Sequence, residues 1–184
     1  MAIVDLTRTA AGLAGAVGEL PFDLQFDAPN SHAGVRGVSM GVTVEGHWHI
    51  ESNFENVNPV GRFIGLYDDS QVLLCNEAHL TPDYALRHAD LSGSIGGEEL
   101  MARIAPVDAP AHGPMVLGVD GQIDRKVITL LAAVHTGRTA RAQITGAVDG
   151  RQVNLVATRS GVAGTYDAPA PLLPLLVMAL AYFI

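Results

Sequence analysis

The chain has 184 residues and a formal net charge of −8 at pH 7, with 11 basic against 19 acidic side chains. The bases are scattered, with no basic stripe to neutralise phosphates, which excludes nucleic-acid binding and disfavours an anionic membrane surface. Charged residues make up only 16% of the chain, against about a quarter in an average protein. So low a charge content indicates a surface that is buried against other subunits.

The length suits a single domain spanning residues 1–184, and an apolar fraction of 48% is typical of a globular protein. Cys75 is the only cysteine, so no disulfide can form within the chain. A reducing compartment follows as the expectation, and we expect a cytoplasmic protein.

The N-terminal segment, residues 2–20, is expected to form a helix, with Thr7 or Thr9 as its N-cap and Pro21 as its stop. Three glycines recur at every third position: Gly12, Gly15 and Gly18. Each lowers the helix preference by about 1 kcal/mol relative to alanine. The alternatives are a segment that lies close against another backbone and an irregular segment.

From Val35 onward, short runs alternate apolar with polar residues and are interrupted by Gly, Asn and Asp, which is typical of antiparallel strands. Asp-Gly within 148–151 and Gly-Gly within 95–98 predict hairpin turns, and 119–121 predicts a third. The fold class is therefore all-β: an antiparallel meander forming a barrel or sandwich, with its core over 35–158. The predicted strands are 35–44, 46–54, 62–67, 71–76, 90–96, 99–105, 115–123, 126–134, 139–148 and 152–158.

Two of these hairpins resemble each other in sequence. Residues 91–100 align with 144–153, so that Gly93 matches Gly146 and Gly97 matches Gly150. One interpretation is that all hairpins of this turn type look alike. The other is a meander built from a repeated hairpin, which would favour a barrel.

The C-terminal segment, residues 168–184, contains no charged residue. Pro171 and Pro174 suit the first turn of a helix, where an amide hydrogen is not needed. A helix that is apolar on every side must be buried in its own chain, in a partner subunit or in lipid. The partner-binding side chains predicted here are Leu175, Leu176, Met178, Leu180, Tyr182 and Phe183. Such a helix beside an antiparallel meander is similar to the tubby-like and phospholipid-scramblase-like barrels, a resemblance that covers only 167–184 and the general meander and implies a helix plugging the lumen.

Residues 46–51 hold the candidate chemistry of the chain. In a strand, residues two apart share a face, so His47, His49 and Glu51 face away from Trp48. Two imidazoles and a carboxylate are suitable ligands for zinc or non-haem iron. The alternative is that the three side chains simply meet water.

Two resemblances arise at the same place. Gly41, His47, His49, Glu55 and Gly61 resemble the first half of a cupin metal motif, which implies a metal-dependent enzyme using His47, His49 and Glu51 or Glu55. The Pro-x-Gly and His of the motif's second half do not follow. Separately, Gly46-x-Trp48 is similar to the Gly-x-Trp of the lipocalin and avidin superfamily, which implies a hydrophobic small molecule held in a barrel that Trp48 closes.

The sequence as a whole favours a non-enzymatic structural or accessory subunit, either of a homo-oligomer or of a complex with other proteins, docked through its apolar C-terminal helix. The alternatives are a hydrophobic-ligand-binding β-barrel and a cupin-like metal-dependent enzyme. No cofactor is expected outside the cupin alternative, where it would be zinc or iron.

Overall fold

A computed structural model of the chain describes residues 1–27, 34–51, 59–83, 85–108, 114–135 and 140–182, without the side chains of Ile50, Glu51, Asp108 and Tyr182. The described residues form fourteen β-strands, which close into one antiparallel barrel, and one short helix near the C-terminus. The prediction of an all-β antiparallel fold is confirmed, and of the two architectures it is the barrel that forms.

The strands are β1 Ala2–Arg8, β2 Gly12–Val17, β3 Leu20–Phe26, β4 Gly34–Ser39, β5 Val42–Glu51, β6 Val60–Tyr67, β7 Ser70–Leu80, β8 Leu86–Ile95, β9 Glu98–Asp108, β10 Met115–Ile123, β11 Lys126–His135, β12 Arg141–Val148, β13 Arg151–Thr158 and β14 Gly161–Tyr166. Helix α1 follows at Leu172–Tyr182. Each strand pairs with its neighbours in sequence, and β14 pairs with β1 to close the barrel.

Every even-numbered strand ends in the same pattern, a glycine followed two positions later by a buried residue. The glycines are Gly15, Gly37, Gly65, Gly93, Gly121, Gly146 and Gly164, and the buried residues are Val17, Ser39, Tyr67, Ile95, Ile123, Val148 and Tyr166. A Cβ added to any of these glycines would lie 1.9 to 2.2 Å from a carbonyl oxygen of the preceding strand. The glycines therefore let adjacent backbones approach closely, which bends the sheet toward closure.

Two-residue turns follow six of the even-numbered strands. In five of them, at 40–41, 68–69, 96–97, 124–125 and 149–150, both turn residues have positive φ, as a type I′ turn requires. The predicted turns at 96–97 and 149–150 are confirmed. The one predicted at 119–121 is wrong, because Gly121 lies within β10 against the carbonyl oxygen of Met101. We call the end of the barrel where these six turns lie the turn end, and the other the loop end.

The seventh copy of the pattern is divided between the two ends of the chain. Strand β14 leads into helix α1 instead of a turn, and the strand that follows it around the barrel is β1. Val4 lies opposite Gly164, and Leu6 lies opposite Val162, the same register that β13 has on β12. The N-terminal amine lies 3.4 Å from Oδ1 of Asp167 beside this seam.

The predicted N-terminal helix over 2–20 is wrong, because these residues form β1 and β2. Val4 and Leu6 alternate into the core, while Gly12 and Gly15 lie against the backbones of β3 and β1. The predicted break between strands at residue 45 is also wrong: the chain turns at Met40 and Gly41, where φ is 55° and 82°. Strands β3 and β14 were not predicted.

Helix α1 packs inside its own barrel, mainly against β12, β13 and β14. Leu173 and Val177 are 0% exposed, and Leu180 is 1% exposed. Pro174 falls in the first turn, where its missing amide costs nothing. Of the three environments open to this apolar segment, the described residues occupy the first, burial in the same chain. No helix in the described part of the chain is long and apolar enough to cross a membrane.

Candidate functional site

The outer wall of the barrel carries a cluster of imidazoles and carboxylates near the loop end of β7 and β8. Strand alternation turns His79, His88 and Asp90 outward, and the register sets His79 directly opposite His88. Asp90 lies opposite Glu77 on one side and Arg103 on the other. Regular strand pairing alone therefore gathers five side chains that carry charge or bind metals.

The two imidazoles and Asp90 point their polar atoms at a common space. The rings stack with centroids 4.4 Å apart and planes 23° apart. Oδ2 of Asp90 lies 3.7 Å from Nε2 of His79 and 3.6 Å from Nε2 of His88. One potential ligand atom from each residue lies within 4.8 Å of the other two.

Arg103 holds the Asp90 carboxylate in place. Its Nε donates to Oδ1 at 2.7 Å, and its Nη2 donates to Oδ2 at 3.2 Å. This hydrogen bonding holds the pKa of Asp90 below its usual range, so the group is a carboxylate at neutral pH. Partial burial, followed by the nearby His79 and Arg103, lowers the pKa of His88. The His88 imidazole is then neutral at pH 7 and keeps a free lone pair.

This cluster was missed from the sequence. The sequence does not single out its residues, of which His79 lies in β7, and His88 and Asp90 lie in β8. The hairpin connection at 81–85 places the two histidines opposite each other. A prediction of that connection would have revealed the pair.

The sequence-predicted ligands lie elsewhere. His47 and His49 are exposed on the outer face of β5, opposite Ile64 and Arg62. The backbone of Glu51 continues that strand, its side chain is not described, and Glu55 lies outside the described residues. Among the residues that the structure describes, the group able to hold a metal consists of His79, His88 and Asp90. The set of His47, His49 and Glu51 stays a prediction.

Trp48 faces the interior, as the alternation of β5 predicts. It is half-buried and meets Phe63 edge to face, with ring centroids 5.4 Å apart. Gly46 leaves the space that the Phe63 ring occupies, and Gly61 lies beside the indole.

The predicted partner-binding side chains of helix α1 divide by burial. Met178 and Leu180 are buried in the barrel, whereas Leu175 and Leu176 are half-buried. The Tyr182 side chain and Phe183 lie outside the described residues.

A second feature of the outer wall is a group of exposed apolar side chains on four adjacent strands, which we call the β6–β9 patch. Its large members are Ile64, Leu66, Leu73 and Met101, which are 43 to 57% exposed. Small uncharged residues lie among them: Cys75, Ser92 and Ser94. Ile64 pairs with Leu73, and Leu73 pairs with Ser94, whereas Met101 is joined to them through Ser92 and Cys75. Glu45, Arg62 and Glu99 flank the patch.

Comparisons of the chain with protein-family models, with curated proteins and with solved structures found no match. Any function must therefore be argued from the two features of the outer wall and from the interior of the barrel.

Proposed function

We propose that this protein is a non-enzymatic structural or accessory subunit that associates with further copies of itself through the β6–β9 patch. The observation that carries the proposal is the grouping of four large exposed apolar side chains on adjacent strands. The sequence placed the docking surface on the C-terminal helix. Because that helix is covered by its own barrel, the proposal moves the docking surface to the outer wall.

The size of the patch sets the strength of the association. Full burial of one such side chain contributes about 1.5 to 3 kcal/mol. Each member is about half exposed, so covering it contributes roughly 1 kcal/mol, and a symmetric pair of patches roughly 8 kcal/mol. Association costs about 4 to 15 kcal/mol in lost freedom of motion. At the lower end of that cost, roughly 4 kcal/mol of net stabilisation remains, which corresponds to a Kd of about 1 mM, so we expect a weak, reversible, concentration-dependent oligomer.

A second copy can occupy this wall despite the negative charge that both copies carry. Two chains with a net charge of −8 repel each other wherever their carboxylates meet. The middle of the patch is uncharged, and its serines and cysteine are small enough for two walls to approach closely. A two-fold contact brings the same patch of both copies together, so both apolar surfaces are buried in one interface.

Sedimentation equilibrium measured from about 10 μM to 2 mM protein tests this proposal. The wild type should move from monomer to oligomer, and Leu73→Glu should remain monomeric because a buried unpaired charge is unfavourable. Ile3→Glu, at a 69% exposed position on β1, is the matched control and should associate like the wild type. A wild type that stays monomeric throughout, or equal losses in both variants, would overturn the proposal.

The half-buried position of Trp48 favours hydrophobic-ligand binding as a second candidate function. The indole faces the interior toward the loop end and is the only tryptophan. Titration with a fatty acid should shift Trp48 fluorescence if an apolar ligand enters there. An emission spectrum that is unchanged at saturating fatty acid would exclude this candidate.

A further inference from the structure

We propose that His79, His88 and Asp90 form a binding site for a single divalent transition-metal ion, of the class of Zn²⁺, on the outer wall of the barrel. The site adjoins the loop-end side of the β6–β9 patch, since Asp90 lies two residues from Ser92 and Arg103 two residues from Met101. Its three ligands belong to one chain, so it does not depend on self-association. It is also distinct from the ligand set that the sequence predicted on β5.

The spacing of the three ligand atoms matches the coordination geometry of zinc. Zinc binds imidazole nitrogen and carboxylate oxygen at about 2.0 to 2.2 Å and prefers a tetrahedron, so its ligand atoms lie about 3.4 Å apart. The distances from Oδ2 of Asp90 to the two imidazole nitrogens are 3.7 and 3.6 Å. The ligand atoms of the two imidazoles lie within 4.8 Å of each other, so closing the site requires them to approach by up to roughly 1.4 Å. Side chains that are 21 to 40% exposed have that freedom.

The chemistry of the donors supports a borderline metal. Two imidazoles and one carboxylate are suitable ligands for zinc, iron or copper, whereas magnesium and calcium prefer oxygen alone. The Asp90 carboxylate neutralises one of the two positive charges of the ion.

The surrounding side chains orient the ligands. Arg103 holds Oδ1 of Asp90 through its Nε at 2.7 Å, and its second bond, to Oδ2, is longer at 3.2 Å. An ion can therefore take Oδ2 while Arg103 keeps the carboxylate in position. Oε1 of Glu77 lies 3.7 Å from Nε2 of His79 on a half-exposed side chain, so a fourth ligand is within reach.

The position in the fold makes the site rigid. His79 and His88 lie opposite each other on paired strands, and Asp90 follows two residues later on the same face. An ion would link β7 to β8 close to the connection at 81–85. Since an ion that binds only the folded state stabilises it, binding has a readout in stability as well as in affinity.

The test is titration of the chelator-treated protein with Zn²⁺ by calorimetry, and with Co²⁺ by visible absorption, which reports tetrahedral coordination. The wild type should bind one ion per chain. His79→Ala and His88→Ala should each lower the affinity by more than about 100-fold, since loss of a second-shell group alone costs 10- to 100-fold. Added Zn²⁺ should raise the melting temperature of the wild type but not of these variants.

His49→Ala is the matched control, because His49 is an exposed histidine on the same outer wall. This variant should bind Zn²⁺ like the wild type. Circular dichroism and the urea midpoint of each variant establish that it is folded. A wild type that binds no ion, binding that survives in His79→Ala and His88→Ala, or an equal loss in His49→Ala would overturn the proposal.

Discussion

Replacing Gly146 with alanine should destabilise the barrel far more than the same change at Gly150 in the same hairpin. Gly146 has φ +142°, and an added Cβ would lie 2.2 Å from the carbonyl oxygen of Thr129. The backbone conformation alone costs about 1 to 3 kcal/mol. Separating the strands to relieve the contact weakens about two ladder hydrogen bonds, each contributing about 1 kcal/mol. We expect a total loss of about 3 to 5 kcal/mol.

Gly150 has φ +76°, and an added Cβ would meet nothing within 4 Å. Asp69 and Arg125 occupy the corresponding turn position in two other hairpins, so a side chain is tolerated there. The expected loss is about 1 kcal/mol. Because each kcal/mol lowers the melting temperature by about 2 to 4 °C in a chain of this size, thermal unfolding should show a drop of roughly 10 °C for Gly146→Ala and roughly 3 °C for Gly150→Ala. Equal shifts would refute the role assigned to the repeated glycine.

Three further changes test the interior by urea denaturation. Ser39→Ala should stabilise the fold by about 1 kcal/mol, because the buried Ser39 hydroxyl has no hydrogen-bond partner among the described residues; Ser94→Ala on the outer wall should have no effect. Leu173→Ala should cost about 2 to 5 kcal/mol and the half-buried Leu175→Ala clearly less, and equal costs would contradict the burial of the helix in its own chain. Burial raises the pKa of Tyr166, so the folded state keeps a proton that the unfolded state loses above about pH 10. Stability should therefore fall as the pH rises past that value, and Tyr166→Phe should flatten the fall between about pH 9 and pH 11; an identical slope in the variant would contradict the assignment.

The barrel could be predicted from the alternation of apolar and polar residues, but the sevenfold repeat was only partly recognised. Two copies stood out because they carry Gly-Gly and Asp-Gly turns. The turn at Met40 contains a residue unusual for positive φ, so it did not mark its hairpin. The constant signal is the spacing from the strand glycine to the buried residue two positions later.

The N-terminal segment was misassigned although its two strands, β1 and β2, pair with each other, because the second partner of β1 is distant in sequence. Strand β1 pairs with β14, a register that no local pattern reveals. Gly12 and Gly15 reflect close approach of neighbouring strands, and Gly18 reflects a turn with positive φ, so the three do not mark an interrupted helix. The composition of helix α1 showed that it must be buried but not where, since an apolar surface is compatible with any apolar environment.

For the site, alternation correctly placed Trp48 inside and His49 outside. It could not show which histidines meet across strands, because that depends on register. His79 and His88 meet because the connection at 81–85 fixes their pairing. Ligand sets confined to one strand are easier to notice in a sequence than sets divided between two.

The seam between β1 and β14 also has a consequence for synthesis on the ribosome. Strand β1 emerges first and pairs with β2, but its other edge stays open until β14 has been made. At about 5 to 20 residues per second, Ala2 waits roughly 10 to 30 s for its partner Tyr166. Throughout that time the nascent chain offers an unpaired strand edge on which other chains can add. Pairing with β14 therefore ends the exposure of the free edge of β1.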